Sequence, residues 1–181
     1  MKTKCSVYIA TSVDGFIAGP EGDIDWLHRP EYAATEMQGL RYEEFISTVD
    51  ALVMGRNTYE KVLTFDTWPY GETPVVVLSS REITIPEEAR HTVRVEAGEP
   101  QAIVARLAAE GKKHLYIDGG VTIQRFLAAR LIDEITITRI PILLGTGIPL
   151  FGMFGVEQKL QLLHALPSDS GFVQERYEVV R

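Results

Sequence analysis

Short β-branched apolar runs alternate along this chain with stretches that carry apolar residues at helical spacing, and that alternation restricts the fold more than any other feature. Runs at 7–13, 51–54, 74–78, 93–96, 114–118 and 134–140 read as strands, and 171–180 as a longer one with clear alternation. The first is apolar on both faces, as expected of a strand in the middle of a sheet. Helices are predicted over 32–49, 58–63, 101–110 and 121–129. The first of these carries Met37, Leu40, Phe45 and Ile46 at helical spacing. Asn57 and Glu60 have the spacing of a capping box, and Gly111 is a good stop for the third helix. Alternating β and α units imply three layers, α-β-α, around a largely parallel sheet with right-handed crossovers. No helical pattern separates the last two strands, so an antiparallel C-terminal edge is expected. With 181 residues and no linker or repeat, one α/β domain over 1–181 is predicted.

The net charge is −7, and the acidic residues are scattered rather than gathered in a tail. No basic stripe appears, which argues against a nucleic-acid partner. An acidic chain must bind an anionic ligand through local donors, because its overall field repels it. Cys5 is the only cysteine, so no intramolecular disulfide and no cysteine zinc cluster can form. His28, His91, His114 and His164 show no metal-ligand spacing, and no metal is expected. His114, on a predicted strand, reads as structural or as a sheet-edge residue. The N-terminus has no signal-peptide pattern, and no apolar stretch approaches the roughly 20 residues of a membrane span. A cytoplasmic protein with no membrane partner is expected.

In open α/β sheets, ligands bind beyond the carboxyl ends of the strands, and three such ends here are unusual. At 54–60, Gly55 allows a tight turn into a helix whose first N–H groups and dipole favour an anion, and Arg56 adds a full charge. Alone, this is equally a capped helix with a solvated arginine. At 75–81, Leu78 is followed by Ser79, Ser80 and Arg81, two hydroxyls and a guanidinium suited to a phosphate monoester. A serine turn with an exposed arginine is the alternative. At 115–121, Asp118 precedes Gly119 and Gly120, which permit close approach of a pyrophosphate to a helix start, or simply tight helix–strand packing. Asp118 beside a phosphate is unfavourable if it faces the anion, so it reads as a turn cap or an orienting group.

The order and separation of these elements resemble the dihydrofolate reductase superfamily over nearly the whole chain. Val13-Asp14-Gly15-Phe16-Ile17-Ala18 resembles that family's entry into the loop over the nicotinamide, and 54–60 is close to its M-G-R-x-T-W/Y-E. Leu78-Ser79-Ser80 matches its adenosine-side element and Ile117-Asp118-Gly119-Gly120 its glycine-rich turn. Leu131-Ile132-Asp133-Glu134, followed by 141–151 as P-h-h-h-G-x-G-x-P-h-F (h apolar), resembles the riboflavin-biosynthesis, or RibD C-terminal, branch. So does Ser12-Val13-Asp14-Gly15. Gly145 and Gly147 allow positive φ in a turn after a strand, which is also a purely structural role.

The resemblance implies an NADPH-dependent reductase that delivers hydride to a carbon adjoining nitrogen, with a C=N-type heterocycle or a ribosylamine as substrate. It implies nicotinamide contacts at Ala10 and Ile17. Gly55, Arg56, Asn57, Thr58, Leu78, Ser79, Ser80, Arg81, Asp118, Gly119, Gly120 and Thr122 would surround the phosphates and adenosine ribose. A homodimer is also implied, for which the sequence offers only the apolar stretch 148–154. The proton must come from a general acid near neutrality; Asp25, Glu31 and Asp66 are candidates, each equally a solvated loop carboxylate. Trp26 and Trp68 offer stacking surface for a flat ring or simply core packing. A dihydrofolate reductase and a non-catalytic NADP-binding protein remain open. Two features depart from the riboflavin branch. Between Gly15 and Val49 there are only two arginines, Arg29 and Arg41, thin support for a phosphorylated substrate. The zinc deaminase half often fused to that reductase cannot be built with one cysteine.

Overall fold

Six parallel strands form the body of an eight-stranded sheet whose last two places are filled by an antiparallel hairpin. The computed structural model describes residues 2–32, 35–36, 38–153 and 155–181. The strands are β1 (Lys4–Ser12), β3 (Ala51–Gly55), β4 (Val75–Leu78), β5 (Val93–Glu96), β6 (His114–Asp118), β7 (Glu134–Ile140), β9 (Lys159–Pro167) and β10 (Val173–Val180). Their spatial order is β5-β4-β3-β6-β1-β7-β10-β9, and a two-stranded ribbon pairs β2 (Phe16–Ala18) with β8 (Ile148–Pro149). The expected α/β architecture is present: β10 runs antiparallel to both β7 and β9.

Burial on both faces explains the continuous apolar runs of the central strands. Ala51, Leu52, Val53 and Met54 are all fully buried. On one face, α3 (Pro100–Ala109) and α4 (Gly120–Ala128) contribute Ile103, Leu107, Ile123 and Phe126, which pack with Val7, Val53 and Ile117. On the other, α1 (Tyr42–Ile46) and α2 (Arg56–Val62) contribute Phe45, Tyr59 and Val62 over Leu52, Met54, Val75 and Val77. Each such side chain contributes about 1.5–3 kcal/mol by leaving water.

Several sequence expectations need correction. The helix predicted over 32–49 is replaced by a 3₁₀ turn, Pro30–Tyr32, and by the short α1; residues 33, 34 and Met37 lie outside the described set. The cause is local. Gly39 takes φ +103, and the Leu40 N–H and C=O bond instead to the side-chain amide of Gln174, at 2.8 and 2.9 Å. Tyr8 donates its hydroxyl to the same carbonyl at 2.8 Å. The capping box of Asn57 and Glu60 does not form; α2 starts at Arg56 with no side-chain cap, and Glu60 faces Arg56 at 3.7 Å. The strand predicted over 171–180 begins at Val173, and its partner β9 is absent from the sequence reading. β9 opens with alternation, Lys159-Leu160-Gln161-Leu162, but a register shift that skips Leu163 breaks the period after four residues.

The L-I-D-E segment has a structural role at the end of the sheet opposite the three unusual strand ends. The Asp133 carboxylate accepts from the Cys5 N–H at 2.8 Å and pairs with Lys2 at 2.6 Å and Arg181 at 2.9 Å. Glu134 pairs with Arg176 at 2.8 Å and Lys4 at 3.2 Å. His114 is structural and lies in a central strand, bonded to Ser6 Oγ at 2.8 Å and to the Thr48 carbonyl at 3.0 Å. Burial pushes its pKa down. Of the stretch 148–154, Leu150 is core, Phe151 and Met153 are exposed, and Phe154 lies outside the described residues.

Gln174 is fully buried and tethers the chain that leads into α1. Replacing it by Leu leaves the Leu40 amide without a partner. Urea unfolding of Gln174→Leu is expected to show a loss of about 2–3 kcal/mol; a loss below about 0.5 kcal/mol contradicts this anchoring role.

Candidate functional site

Parallel pairing aligns the carboxyl ends of β4, β3 and β6: Gly55 lies opposite Leu78, and Met54 opposite Asp118. The three unusual strand ends therefore share one rim. Beside them is a cleft of about 440 Å³ lined by Arg56, Leu78, Ser79, Ser80, Arg81, Ala97, Gly98, Glu99 and Arg125. Three guanidinium groups against one carboxylate make it locally cationic within an acidic chain. Arg125 is the member that the sequence reading missed. It sits in α4, donates to the Gly98 carbonyl at 3.0 Å, and faces Glu99 at 3.8 Å. The Arg56–Glu60 and Arg125–Glu99 pairs are long and solvent-facing, so they cost little to exchange for a stronger anion.

The Ser79 hydroxyl is engaged in its own turn, donating to the Arg81 carbonyl at 2.8 Å and accepting from the Arg81 N–H at 3.1 Å. It shapes the loop, while Ser80 and Arg81 are exposed. Asn57 is exposed as well. At the glycine pair the protein fills its own space. Gly119 has φ +89, and a Cβ there would collide with the Thr58 side chain. A Cβ at Gly120 would stand 3.1 Å from Ile17 Cδ1 and 3.2 Å from the Pro149 carbonyl, and one at Gly55 would stand 2.9 Å from Thr122 Oγ1. Thr58 and Thr122 thus interlock β3 and β6, and glycine is required there for packing.

Ile17 reaches α4 because the segment after β1 is fastened to the one after β7. Val13 N–H donates to the Ile142 carbonyl at 2.9 Å and Leu150 N–H to the Gly15 carbonyl at 3.0 Å. The Asp14 carboxylate accepts from the amides of Gly145 at 2.8 Å and Leu144 at 3.2 Å. Ser12 and then these amides hold its pKa below the usual carboxylate value. At Gly147, with φ +154, a Cβ would strike the Ala18 carbonyl. The two glycines of the G-x-G turn therefore serve the clamp between the loops. Ala10 lies on β1 and packs with Trp26, Ile140 and Phe172.

Asp118 has the most perturbed carboxyl of the rim. Crowding by protein raises its pKa to about 6, although part of the residue still meets solvent. Its carboxyl accepts the Gly119 N–H at 2.8 Å, as expected of a turn cap. Burial, and then its charge, push up the phenols of Tyr42, to about 12, and of Tyr70 and Tyr116. Sequence reading assigned Asp118 to the cofactor and did not foresee its raised pKa, because the burial that causes it arises only in the assembled fold. Asp25, Glu31 and Asp66 are all exposed, and Glu31 faces Arg29 at 3.9 Å. Trp26 is buried, and Trp68 packs edge-on against Tyr59 and Tyr70.

Among the described residues, no group of three or more His, Cys, Asp or Glu is placed to hold a metal, and no helix is long and apolar enough to cross a membrane. Residues 4–174 match the protein family described as the RibD C-terminal domain. The uncharacterized protein YwjB of Bacillus subtilis (strain 168) is 39% identical over 165 residues, 90% of this chain and 90% of that one. The crystal structure of a putative riboflavin biosynthesis protein from Shewanella sp. PV-4 superposes with a TM-score of 0.88 at 42% identity, covering 99% of this chain and 100% of that one. Dihydrofolate reductase from Enterococcus faecalis, solved with NADP(H), has a TM-score of 0.68 at 20% identity and covers 98% of this chain and 97% of its own. That likeness shows a shared fold. With dihydrofolate-reductase-like architecture and a family match across almost its full length, the chain belongs to the RibD C-terminal domain family, whose reductases are of the riboflavin-biosynthesis type.

Proposed function

We propose that the protein is an NADPH-dependent reductase that adds hydride to the carbon of a C=N-type heterocycle or ribosylamine and a proton to the nitrogen. The family supports a reductase, and the NADP(H) in the enterococcal relative supports the cofactor class. The observation that carries the reading is the cationic cleft at the β4 rim, where Arg56, Arg81 and Arg125 gather around Ser80. This donor set fits the phosphates of a dinucleotide: fixed guanidinium groups give charge-assisted bonds that an acidic protein's overall field cannot supply. When bound, a reduced nicotinamide supplies the hydride.

The chain's own part is to place the ring and manage the proton. Ile17, held against Gly120 by the clamp between the β1 and β7 loops, and Ala10 would bound the nicotinamide. Asp118 is the group suited to hold the proton: its pKa near 6 keeps a useful fraction protonated close to neutrality, as a general acid requires. The exposed Asp25, Glu31 and Asp66 lack such an environment. The reading includes a homodimer, for which Phe151 and Met153 supply exposed apolar surface. Dihydrofolate is the second substrate to assay, since the fold is shared with that reductase.

Three measurements test this. In thermal-shift titration, wild-type protein is expected to prefer NADPH over NADH, and Arg81→Ala to lose about tenfold or more of that preference; an unchanged preference removes Arg81 from the 2′-phosphate. For Asp118, kcat/KM is expected to fall as pH rises through about 6, and Asp118→Asn to lose both that limb and about 100-fold in rate. The folded protein holds this proton more tightly than the unfolded chain, so stability is lost as pH rises from about 4 to about 6. Asp118→Asn should therefore be about 1–3 kcal/mol more stable than wild type at pH 8, relative to the same comparison at pH 4. A flat difference across that range contradicts the assignment.

A further inference from the structure

The sheet ends in two unlike edges, and the difference identifies what covers one of them. The edge at β5 is four residues long and guarded by charge. Arg94 lies 2.8 Å from both Glu96 and Glu110, and Glu96 lies 2.7 Å from Arg106. Charged side chains on a short strand are a usual means of keeping an edge from pairing with another chain.

The edge at β9 is nine residues long and carries no acidic or basic side chain other than His164 after Lys159. Leu160, Leu162 and Leu163 are 38%, 52% and 46% exposed. Among the described residues, no strand pairs with the outer side of β9. The register shows which way these leucines point. Leu160 stands opposite Val179 and Leu162 opposite Tyr177, and residues directly opposite share a face. Val179 belongs to the core shared with α3 and α4, so Leu160 and Leu162 extend that apolar face outward into solvent. The bulge at Leu163 adds twist, which blunts an edge, but it presents another leucine instead of a charge. The segment leading into β9 adds exposed Phe151 and Met153. Apolar surface gathered in this way on a folded chain marks an interaction site.

We propose that a second copy of this chain covers β9, with the two β9 strands antiparallel across a two-fold axis. This gives the homodimer of the reading above its interface. A two-fold interface must be complementary to itself, and β9 meets that condition. Pairing centred near Leu163 sets the two Lys159 side chains about 27 Å apart, at about 3.4 Å per residue. Each lysine then falls beside the far end of the other strand, where Asp169 follows Pro167 by two residues. Leucines meet leucines between these ends, and no like charges are opposed. Growth beyond two is blocked, because the β5 edge offers paired charges where β9 offers leucines.

Sedimentation at micromolar concentration is expected to give twice the chain mass for the wild type. Leu162→Lys is expected to weaken the dimer by about 30-fold or more. Val95→Lys, on the equally exposed β5 edge, is expected to leave it unchanged. A monomeric wild type, an open-ended series of larger species, or a Leu162→Lys dimer of wild-type strength overturns the proposal. Hydrogen exchange of the wild type keeps the test open should Leu162→Lys fail to fold. The outward amides of β9 are expected to exchange more slowly as protein concentration rises, and exchange independent of concentration overturns the proposal. NADPH titration separates this from the chemistry: a monomer that binds NADPH sinks only the interface, whereas a dimer that binds none sinks only the reductase reading.

Discussion

The parallel register of β4, β3 and β6 sets Leu78, Gly55 and Asp118 side by side, and everything chemical about the rim follows from it. A slip of one residue along β3 would turn Met54 and Leu52 out of one core and Val53 out of the other. The burial of both faces therefore holds the site geometry as firmly as it holds the fold. Thr58 against Gly119 and Thr122 against Gly55 lock the same register a second time at the strand ends. This interlock explains why glycine stands at 119 without appeal to any ligand.

A second consequence is the separation of charge along the rim. Arg56, Arg81 and Arg125 come from three different elements and meet only because β3 and β4 are neighbours and α4 packs beside them. The segment 15–49, whose Trp26, Leu27, Tyr32, Tyr42 and Phe45 pack against Tyr8 and Ala10 of β1, carries seven acidic residues and two arginines. A chain of net charge −7 can in this way present one cationic cleft without becoming a general binder of polyanions. Asp118 sits at the end of the strand between β3 and β1, where crowding by protein, rather than a neighbouring charge, raises its pKa.

Much of the fold could be read before any coordinates. The runs at 93–96, 114–118 and 134–140 coincide with β5, β6 and β7: Leu115–Ile117 is buried on both faces and unbroken, whereas the edge strand β5 and β7 were legible from β-branched residues alternating with polar ones. β9 was not read this way, since its alternation is broken by the register shift that skips Leu163. The long helix expected over 32–49 failed for a different reason: Gln174, over 130 residues away, takes the backbone hydrogen bonds of Leu40, and no local pattern records that partner. The site divides similarly. Arg56 and Arg81 stood out because they adjoin strand ends, whereas Arg125 lies within a helix and reaches the cleft only through tertiary packing. The raised pKa of Asp118 likewise comes from burial by the assembled fold, which no local pattern records.

The central claim is that guanidinium groups gathered at the β4 rim receive the phosphates of a dinucleotide. A crystal structure of the protein soaked with NADP⁺ tests this most directly. The account expects the adenosine phosphate between Arg56, Arg81 and Arg125, with the nicotinamide extending toward Ile17 and Ala10. Cofactor density at another surface, or none at saturating concentration, would contradict it.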